Sequence, residues 1–310
     1  MLKGFLIASI TVLIWGVTFV NTKALLNHFS ALEIQVLRFF MAYVALWIIH
    51  PRMHRLAKGE EKLFAALGLT GVAIYQLLEN CAIHYTNASN VSILVSICPA
   101  VTALLVRAFN RESKLAPYFF LGFAVAITGV TMVSLNGIRE FHFRPIGDLM
   151  AAAAMLSWGC YSILIGKANA KGYPATFVIR RTFFWALVIT LPVVILGTTP
   201  SGGRMLSGSF HIELSRAANT VRFSSFLNYV NLGFLGLMAS ALCFVFWNKA
   251  CKALGVVRCS VLLYLIPVIT ALFAFCFLGE SLTLISATGA LLTLLGVFLS
   301  SVRSVQGSKF

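Results

Sequence analysis

A pattern of residues that occurs twice constrains this 310-residue chain more than any other feature of its sequence. The pair Trp15-Gly16 returns as Trp158-Gly159, an offset of 143 residues, and the same offset carries Arg38 onto Arg181. Farther along, an offset of 168 residues aligns a second group with its copy: Asn80, Pro99, Thr102 and Glu112 fall on Asn248, Pro267, Thr270 and Glu280. The sequence therefore predicts one structural unit present in two copies, the second with a longer polar loop near 198–222.

The apolar composition indicates where this unit folds. Hydrophobic residues make up 59% of the chain and charged residues 11%, with a mean hydropathy of +0.91. Because soluble domains contain about 25% charged residues, the composition argues against a soluble protein. A membrane-spanning helix needs about 20 mostly apolar residues. Stretches of this kind predict ten helices, at 4–25, 31–50, 63–85, 89–109, 116–136, 147–167, 175–197, 224–249, 257–278 and 283–302.

The distribution of Lys and Arg between the loops, in a chain with a net charge of +15, predicts the orientation of these helices. Nucleic acid is one partner for a basic chain, but basic residues also hold the loops of membrane proteins on the cytoplasmic side. With both termini cytoplasmic, most Lys and Arg fall in inner loops, and the 198–222 loop lies outside. Five helices per copy then turn the second copy upside down. The predicted fold class is an all-α integral membrane protein of ten transmembrane helices, an inverted 5+5 repeat with residues 1–140 and 145–306 as its halves.

Residues 75–112 and 248–283 carry a resemblance to a known family. With the two Trp-Gly pairs and Arg38, these stretches resemble the paired EamA domains of the drug/metabolite transporter superfamily. The resemblance implies a central cavity, alternating access and export of a small organic metabolite, whether an amino acid, an amine or a drug-like compound, across the cytoplasmic membrane. It does not identify the substrate. Two alternatives stay open, a membrane-embedded enzyme and a non-transporting membrane subunit.

Glu79 is the sharpest candidate for a functional residue, because an acid inside an apolar segment is costly in lipid and faces a cavity or a partner. It is interpreted either as a proton carrier or counter-ion for a substrate amine, or as a structural ion-pair partner of Arg38. Arg38 itself could bind a carboxylate or pack at a helix end, and its recurrence as Arg181 favours the structural role. The copy of Glu79 is Trp247, so the acid breaks the internal symmetry, which favours function.

Aromatic and amide side chains inside the helices form the remaining substrate-binding candidates. Their rings could line an organic-substrate cavity or only pack, and their amides could bind substrate or join helices. Together with Glu79, the candidates are Trp15, Tyr75, Asn80, Trp158, Tyr161, Asn248 and Tyr264. Pro99 and Pro267 each remove a helical hydrogen bond, so they are interpreted as hinges or as fixed kinks.

The sequence lacks the motifs of the main cofactor-dependent enzymes. No P-loop, dinucleotide fingerprint or HExxH occurs, and the seven cysteines form neither CxxC pairs nor Cys/His clusters. We therefore expect no catalytic residues, no metal and no cofactor. The expected partners are a small-molecule substrate and the lipid bilayer, without nucleic acid. The GxxxxxxG spacing in the fifth and tenth helices predicts close packing or a homodimer contact.

Overall fold

The structure is a computed structural model that describes residues 1–85, 91, 94–95, 97–109, 114–115, 117–134, 145–198, 222–278, 283–301 and 305–306. The predicted outer loop at 198–222 lies almost wholly outside these residues, as do Glu112 and Glu280. Two short strands, β1 (Lys114–Leu115) and β2 (Val305–Gln306), pair antiparallel. All other regular structure in the described part of the chain is helical.

The helices follow the apolar stretches of the sequence. Three of them consist of consecutive segments of different helical type: α3 is Glu61–Gly68, Leu69–Ile74 and Tyr75–Tyr85, α8 is Phe226–Gly233, Phe234–Leu242 and Cys243–Leu254, and α9 is Val256–Val261, Leu262–Tyr264 and Leu265–Leu278. The others are α1 (Leu2–Leu25), α2 (Ala31–Ile49), α4 (Cys98–Phe109), α5 (Pro117–Ser134), α6 (Pro145–Ala170), α7 (Ala175–Thr198) and α10 (Leu284–Ser301).

Length and hydropathy identify the helices that could cross a bilayer. Within the described residues, seven are long and apolar enough, and they lie in α1, α2, α3, α6, α7, α8 and α9. The helices α4, α5 and α10 are apolar but shorter over the part that is described. The described part of the chain is thus almost entirely helical, with seven helices that could cross a membrane.

Local signals place two helix starts where the sequence predicted them. Ser30 Oγ accepts a hydrogen bond from the Glu33 backbone N–H, and the Glu33 carboxylate accepts one from the Ser30 N–H, a capping box at the start of α2. Asp148 lies in the first turn of α6, where a carboxylate is favoured by the helix dipole. The predicted starts at 31 and 147 agree with the observed starts at Ala31 and Pro145 to within two residues.

Equivalent helices of the two copies make equivalent packing contacts. Helix α1 packs against α8 and α9, and its counterpart α6 packs against α3 and α4. The glycine of each Trp-Gly motif allows these helices to pack closely. A Cβ on Gly16 would lie 2.5 Å from Ile269 Cγ2 in α9, and one on Gly159 would lie 2.6 Å from Leu105 Cδ1 in α4. Glycine therefore lets each crossing helix approach closely while the neighbouring Trp packs at the centre of the bundle.

The course of the chain can be followed from the two ends of the bundle. One end, here the Ser30 end, holds Ser30 and Arg222, which precedes α8; the other, the Glu60 end, holds Glu60 and residues 171–174. Helix α1 finishes at the Ser30 end, whereas α6 finishes at the Glu60 end, where Lys171 bonds to Glu60. Helices α5 and α10 also run in opposite directions, joined through the glycines of the GxxxxxxG spacings. These glycines pack within the chain.

A π-helical segment interrupts α3 at Leu69–Ile74 and α8 at Phe234–Leu242, equivalent positions of the two copies. A π segment widens the helix and alters its ladder of backbone hydrogen bonds. Neighbouring helices bond to its carbonyls: Trp15 Nε1 donates to Ala239 O at 3.0 Å, and Ser157 Oγ donates to Thr70 O at 2.7 Å. A side chain of each copy thus donates a hydrogen bond to a backbone carbonyl in the π-interrupted helix of the other copy.

Candidate functional site

A cavity lies between the two copies, in the half of the bundle towards the Ser30 end. It encloses about 650 Å³ of empty space, part of it open to solvent. Its position follows from Thr22, which belongs to the last turn of α1, and from Asn80, whose amide donates to the Ala31 carbonyl at 3.4 Å. Six of the residues predicted from the sequence line it: Trp15, Arg38, Tyr75, Glu79, Asn80 and Trp158.

The carboxylate of Glu79 is held by its own helix. Tyr75 Oη donates a hydrogen bond to Oε1 at 3.1 Å, and the Gln76 amide donates to Oε2. The three side chains lie on one face of α3 because residues three and four apart are neighbours on a helix. The acid is therefore stabilised in an apolar span by two neutral donors, and its side chain still lines the cavity.

Arg38 lines the cavity from α2 and has a partner in the other copy. Its Nε donates to Ser240 Oγ at 2.9 Å, and the residue is 4% exposed. Ser240 belongs to the π segment of α8, so this bond joins the two halves. Within the described residues, Arg38 and Glu79 form no ion pair at 4.0 Å or less. The two charges face one cavity with different hydrogen-bond partners, and the terminal guanidinium nitrogens of Arg38 form no hydrogen bond to another described residue.

Aromatic rings close the cavity towards the centre of the bundle. The rings of Trp15 and Trp158 meet edge to face, with centroids 5.7 Å apart, and Tyr75 lies 4.8 Å from Trp158. The two indoles differ in their hydrogen bonding. Trp15 Nε1 donates to Ala239 O, whereas Trp158 Nε1, in a residue 3% exposed, has no acceptor among the described residues.

Three predicted residues lie away from the cavity lining. Tyr161 is fully buried beside Trp158, with ring centroids 5.0 Å apart, and Asn248 is fully buried in α8. Tyr264 is fully buried in a separate cluster with α4 and α5, 6.5 Å from the ring of Phe123. The structure therefore does not bring these side chains together with Glu79.

The two predicted hinge prolines occupy related places. Pro99 lies in the first turn of α4, directly after Cys98, and Pro267 lies in α9, directly after Ile266. Cys98 and Ile266 are equivalent residues of the two copies, and both line the cavity. Each proline thus adjoins the cavity wall, where a change of helix direction would alter its shape.

Several contacts of the site are not evident from the sequence. Gln76, Thr18 and Thr22 line the cavity; for Gln76, the spacing of three residues from Glu79 is a usable signal. A buried ion pair near the Ser30 end is another contact that is not evident from the sequence. Both guanidinium nitrogens of Arg222 lie 2.9 Å from carboxylate oxygens of Glu33, and the side chains are 10% and 7% exposed. Glu33, which completes the capping box of α2, thus also binds the segment that precedes α8.

A second polar network lies at the Glu60 end, away from the cavity. Arg181 makes a two-pronged contact with the Glu61 carboxylate, which also accepts a bond from Trp185 Nε1 at 2.8 Å. Lys171 Nζ lies 2.6 Å from Glu60 Oε1. Hydrogen bonds from Lys171 and Tyr173 lower the pKa of Glu60 to about 2. These bonds hold the segment before α3 against the start of α7.

Comparison with known proteins identifies the architecture. A solved crystal structure superposes on 97% of this chain and 98% of its own, with a TM-score of 0.74 and 16% identity, and thus shares the fold. An uncharacterized transporter of Archaeoglobus fulgidus is 27% identical over 98% of this chain and 99% of its own length.

Two further relatives have names that state a substrate. A probable amino-acid metabolite efflux pump of Salmonella typhimurium is 27% identical over 96% of this chain and 94% of its own. A probable terminal-alkyne amino-acid exporter of Streptantibioticus cattleyicolor is 26% identical over 96% of this chain and 92% of its own. The model of the EamA-like transporter family matches residues 2–135 and 145–302. With both copies matched, and with several apolar helices long enough to cross a bilayer, this chain belongs to the EamA-like transporter family and is a multi-pass membrane protein.

Proposed function

We propose that this protein is a ten-span secondary transporter of the cytoplasmic membrane that exports a small zwitterionic metabolite, an amino acid or a close derivative, by alternating access. The observation that carries the proposal is the pair of opposite charges, Arg38 and Glu79, in one aromatic-walled cavity without an ion pair between them. Charges at membrane depth are costly and commonly mark a substrate pathway.

Each part of such a substrate has a matching group in the cavity. A guanidinium can bind a carboxylate through two parallel hydrogen bonds, and the terminal nitrogens of Arg38 remain for this role beside its bond to Ser240. The Glu79 carboxylate would pair with the ammonium group. Trp15, Tyr75 and Trp158 would pack against an apolar or aromatic side chain. The names of two relatives, an amino-acid efflux pump and an amino-acid exporter, support the same class.

The proposed mechanism requires an inverted pair of halves, residues 1–140 and 145–306. Support comes from the opposite directions of α1 and α6 and of α5 and α10. The cavity would face outwards, since Arg52, Arg55, Lys58 and Lys171 belong to the segments at the Glu60 end, and basic residues favour the cytoplasmic side. In this conformation the Glu60 end would form the closed cytoplasmic side.

Flux measurements on the purified protein test the function. Liposomes loaded with a zwitterionic amino acid, its decarboxylated amine or its deaminated carboxylate should release only the first through the protein. Release of the amine alone would overturn the role of Arg38, and release of none of the three would overturn the proposed substrate class. For the orientation, Ser209→Cys on a cysteine-free background should react with an impermeant thiol reagent from outside. Labelling from the cytoplasm alone would contradict the inverted arrangement.

A further inference from the structure

The cavity has a counterpart in the other half of the molecule. The repeat offsets carry Thr18 onto Tyr161 and Asn80 onto Asn248, and Glu79 onto Trp247. Because α6 and α8 both run towards the Glu60 end, Tyr161 and Asn248 follow the central residues Trp158 and Phe244 on that side. Three residues that line the cavity, Thr18, Glu79 and Asn80, therefore have equivalents that are buried on the opposite side of the aromatic centre.

Two of these equivalents, Tyr161 and Asn248, are polar and have unsatisfied atoms. Tyr161 and Asn248 have 0% exposure, and neither the Tyr161 hydroxyl nor either amide atom of Asn248 has a hydrogen-bond partner among the described residues. Asn80, by contrast, bonds to the Ala31 carbonyl. A buried polar group without a partner costs free energy. Tyr161 packs on the central Trp158, and Asn248 follows Trp247 in α8, so we expect their polar atoms to meet a partner at this place in another conformation.

The surrounding contacts place both residues along one surface. Phe244, Asn248 and Cys251 are spaced by four and three residues and so share a face of α8. The ring of Tyr161 lies 6.4 Å from that of Phe244, and its hydroxyl is close enough to the Cys251 thiol to interact electrostatically. The ring of Trp247 packs against that of Trp15 in a tilted arrangement, with centroids 5.2 Å apart, and both rings lie between the two copies. No group of this surface carries a formal charge.

We propose that Tyr161 and Asn248 form a second polar subsite, closed in this conformation, which binds the substrate when the bundle opens at the Glu60 end. This inference rests on the proposed transport function. A hydroxyl and an amide offer both donors and an acceptor, so the subsite would take the carboxylate or another hydrogen-bonding group of an amphiphilic metabolite. The strong ionic contacts would be confined to the cavity at the Ser30 end.

Native cysteines allow a direct test of opening. On a cysteine-free background, Cys251 is restored alone, and Cys98, which lines the cavity at the Ser30 end, serves as the matched control. A small impermeant thiol reagent should modify Cys98 from outside and Cys251 from the cytoplasmic side. A Cys251 thiol that reacts from neither side, or only from outside, would overturn the subsite. If the labelling holds while no zwitterion is transported, the proposed substrate fails and the subsite stands.

Two substitutions test the polar groups themselves. Asn248→Leu and Tyr161→Phe remove unsatisfied atoms while keeping most of the volume, so each should raise Tm and yet lower flux, by about five- to tenfold for one lost hydrogen bond to the substrate. Ser286→Ala removes another unsatisfied buried hydroxyl, in α10, and should leave flux unchanged. Wild-type flux in both Asn248→Leu and Tyr161→Phe, or a lowered Tm in both, would show that these groups serve packing or bond to the protein.

Discussion

Arg38 and Arg181 occupy the same position in the two copies, yet their surroundings differ. Arg38 lines the cavity, is 4% exposed and bonds to the neutral Ser240. Arg181 has a side chain 25% exposed and pairs with the Glu61 carboxylate at the Glu60 end. The nearest acid to the first arginine in the cavity, Glu79, is replaced by Trp247 in the second copy. The two copies thus share one arrangement of helices. The charge of Arg38 faces the cavity, whereas the charge of Arg181 is neutralised by Glu61.

The aromatic pair repeats this contrast. Trp15 and Trp158 are equivalent and touch each other, but only Trp15 has a hydrogen-bond acceptor within the described residues. Trp247 of the second copy also packs against both of them in tilted arrangements, with centroids 5.2 Å and 6.4 Å away. A conformation open at one end needs an apolar seal towards the other. We therefore expect the difference in hydrogen bonding between equivalent residues to depend on which end of the bundle is open as well as on the sequence.

The largest effect should come from Glu79, the acid that one copy has and the other lacks. Glu79→Gln keeps the volume and removes the charge, so flux should fall about 10- to 100-fold, since hydrogen bonds to charged groups contribute about 1.5–3 kcal/mol. Tm should change little, because Tyr75 and Gln76 can still bond to an amide. Flux and Tm of the purified variant are measured together. Full flux with an unchanged pH profile in a folded variant would refute both the proton-carrier and the counter-ion role.

The equivalent arginines should respond in opposite ways to the same substitution. Arg38→Gln should lower flux about tenfold, the loss of one charge-assisted bond, with little change in Tm because no acid pairs with it within 4.0 Å among the described residues. Arg181→Gln should lower stability instead, by roughly 1 kcal/mol, since its Glu61 partner is 41% exposed. Thermal unfolding and flux separate the two. Equal losses of Tm in Arg38→Gln and Arg181→Gln would contradict the different roles assigned to the two arginines.

The two indoles permit a smaller matched comparison. Trp15→Phe deletes the bond to Ala239 and should cost about 1 kcal/mol, whereas Trp158→Phe deletes no such bond among the described residues. Both variants lose similar volume, so the difference in Tm between them isolates the hydrogen bond. Trp158→Phe should instead raise the half-saturation concentration several-fold if its N–H donates to the substrate. An unchanged value there would leave Trp158 as a packing residue.

The smallest effect concerns pH at the Glu60 end. Lys171 and Tyr173 lower the pKa of Glu60 from 4.5 to about 2, so its bonds contribute stability above pH 4.5 and lose it as pH falls towards 2. The difference in Tm between wild type and Glu60→Gln should therefore stay constant from about pH 5 to 8 and shrink only in stronger acid. A difference that disappeared near pH 6 would contradict this network and would direct attention to a histidine such as His50.

Residue type alone was enough to select two charged side chains that line the cavity. Glu79 and Arg38 stand out because ionisable groups are rare in apolar spans, and both line the cavity. The pairing of Glu33 with Arg222 was missed because the arginine lies 189 residues away, in a polar segment outside the apolar spans. The π segments of α3 and α8 were missed as well, since hydropathy does not distinguish α from π hydrogen bonding.

The sequence by itself determined the membrane class, the duplicated unit and the family, because apolar length and a twice-repeated order of residues do not depend on how the helices pack. Only the tertiary structure decided for which equivalent pairs both members reach the cavity, as with Trp15 and Trp158, and for which only one does. Asn80 lines it and Asn248 does not, although their sequence contexts match. The physical reason is that side-chain exposure within a bundle depends on helix rotation, on the close approach allowed at Gly16 and Gly159, and on which end of the molecule is closed.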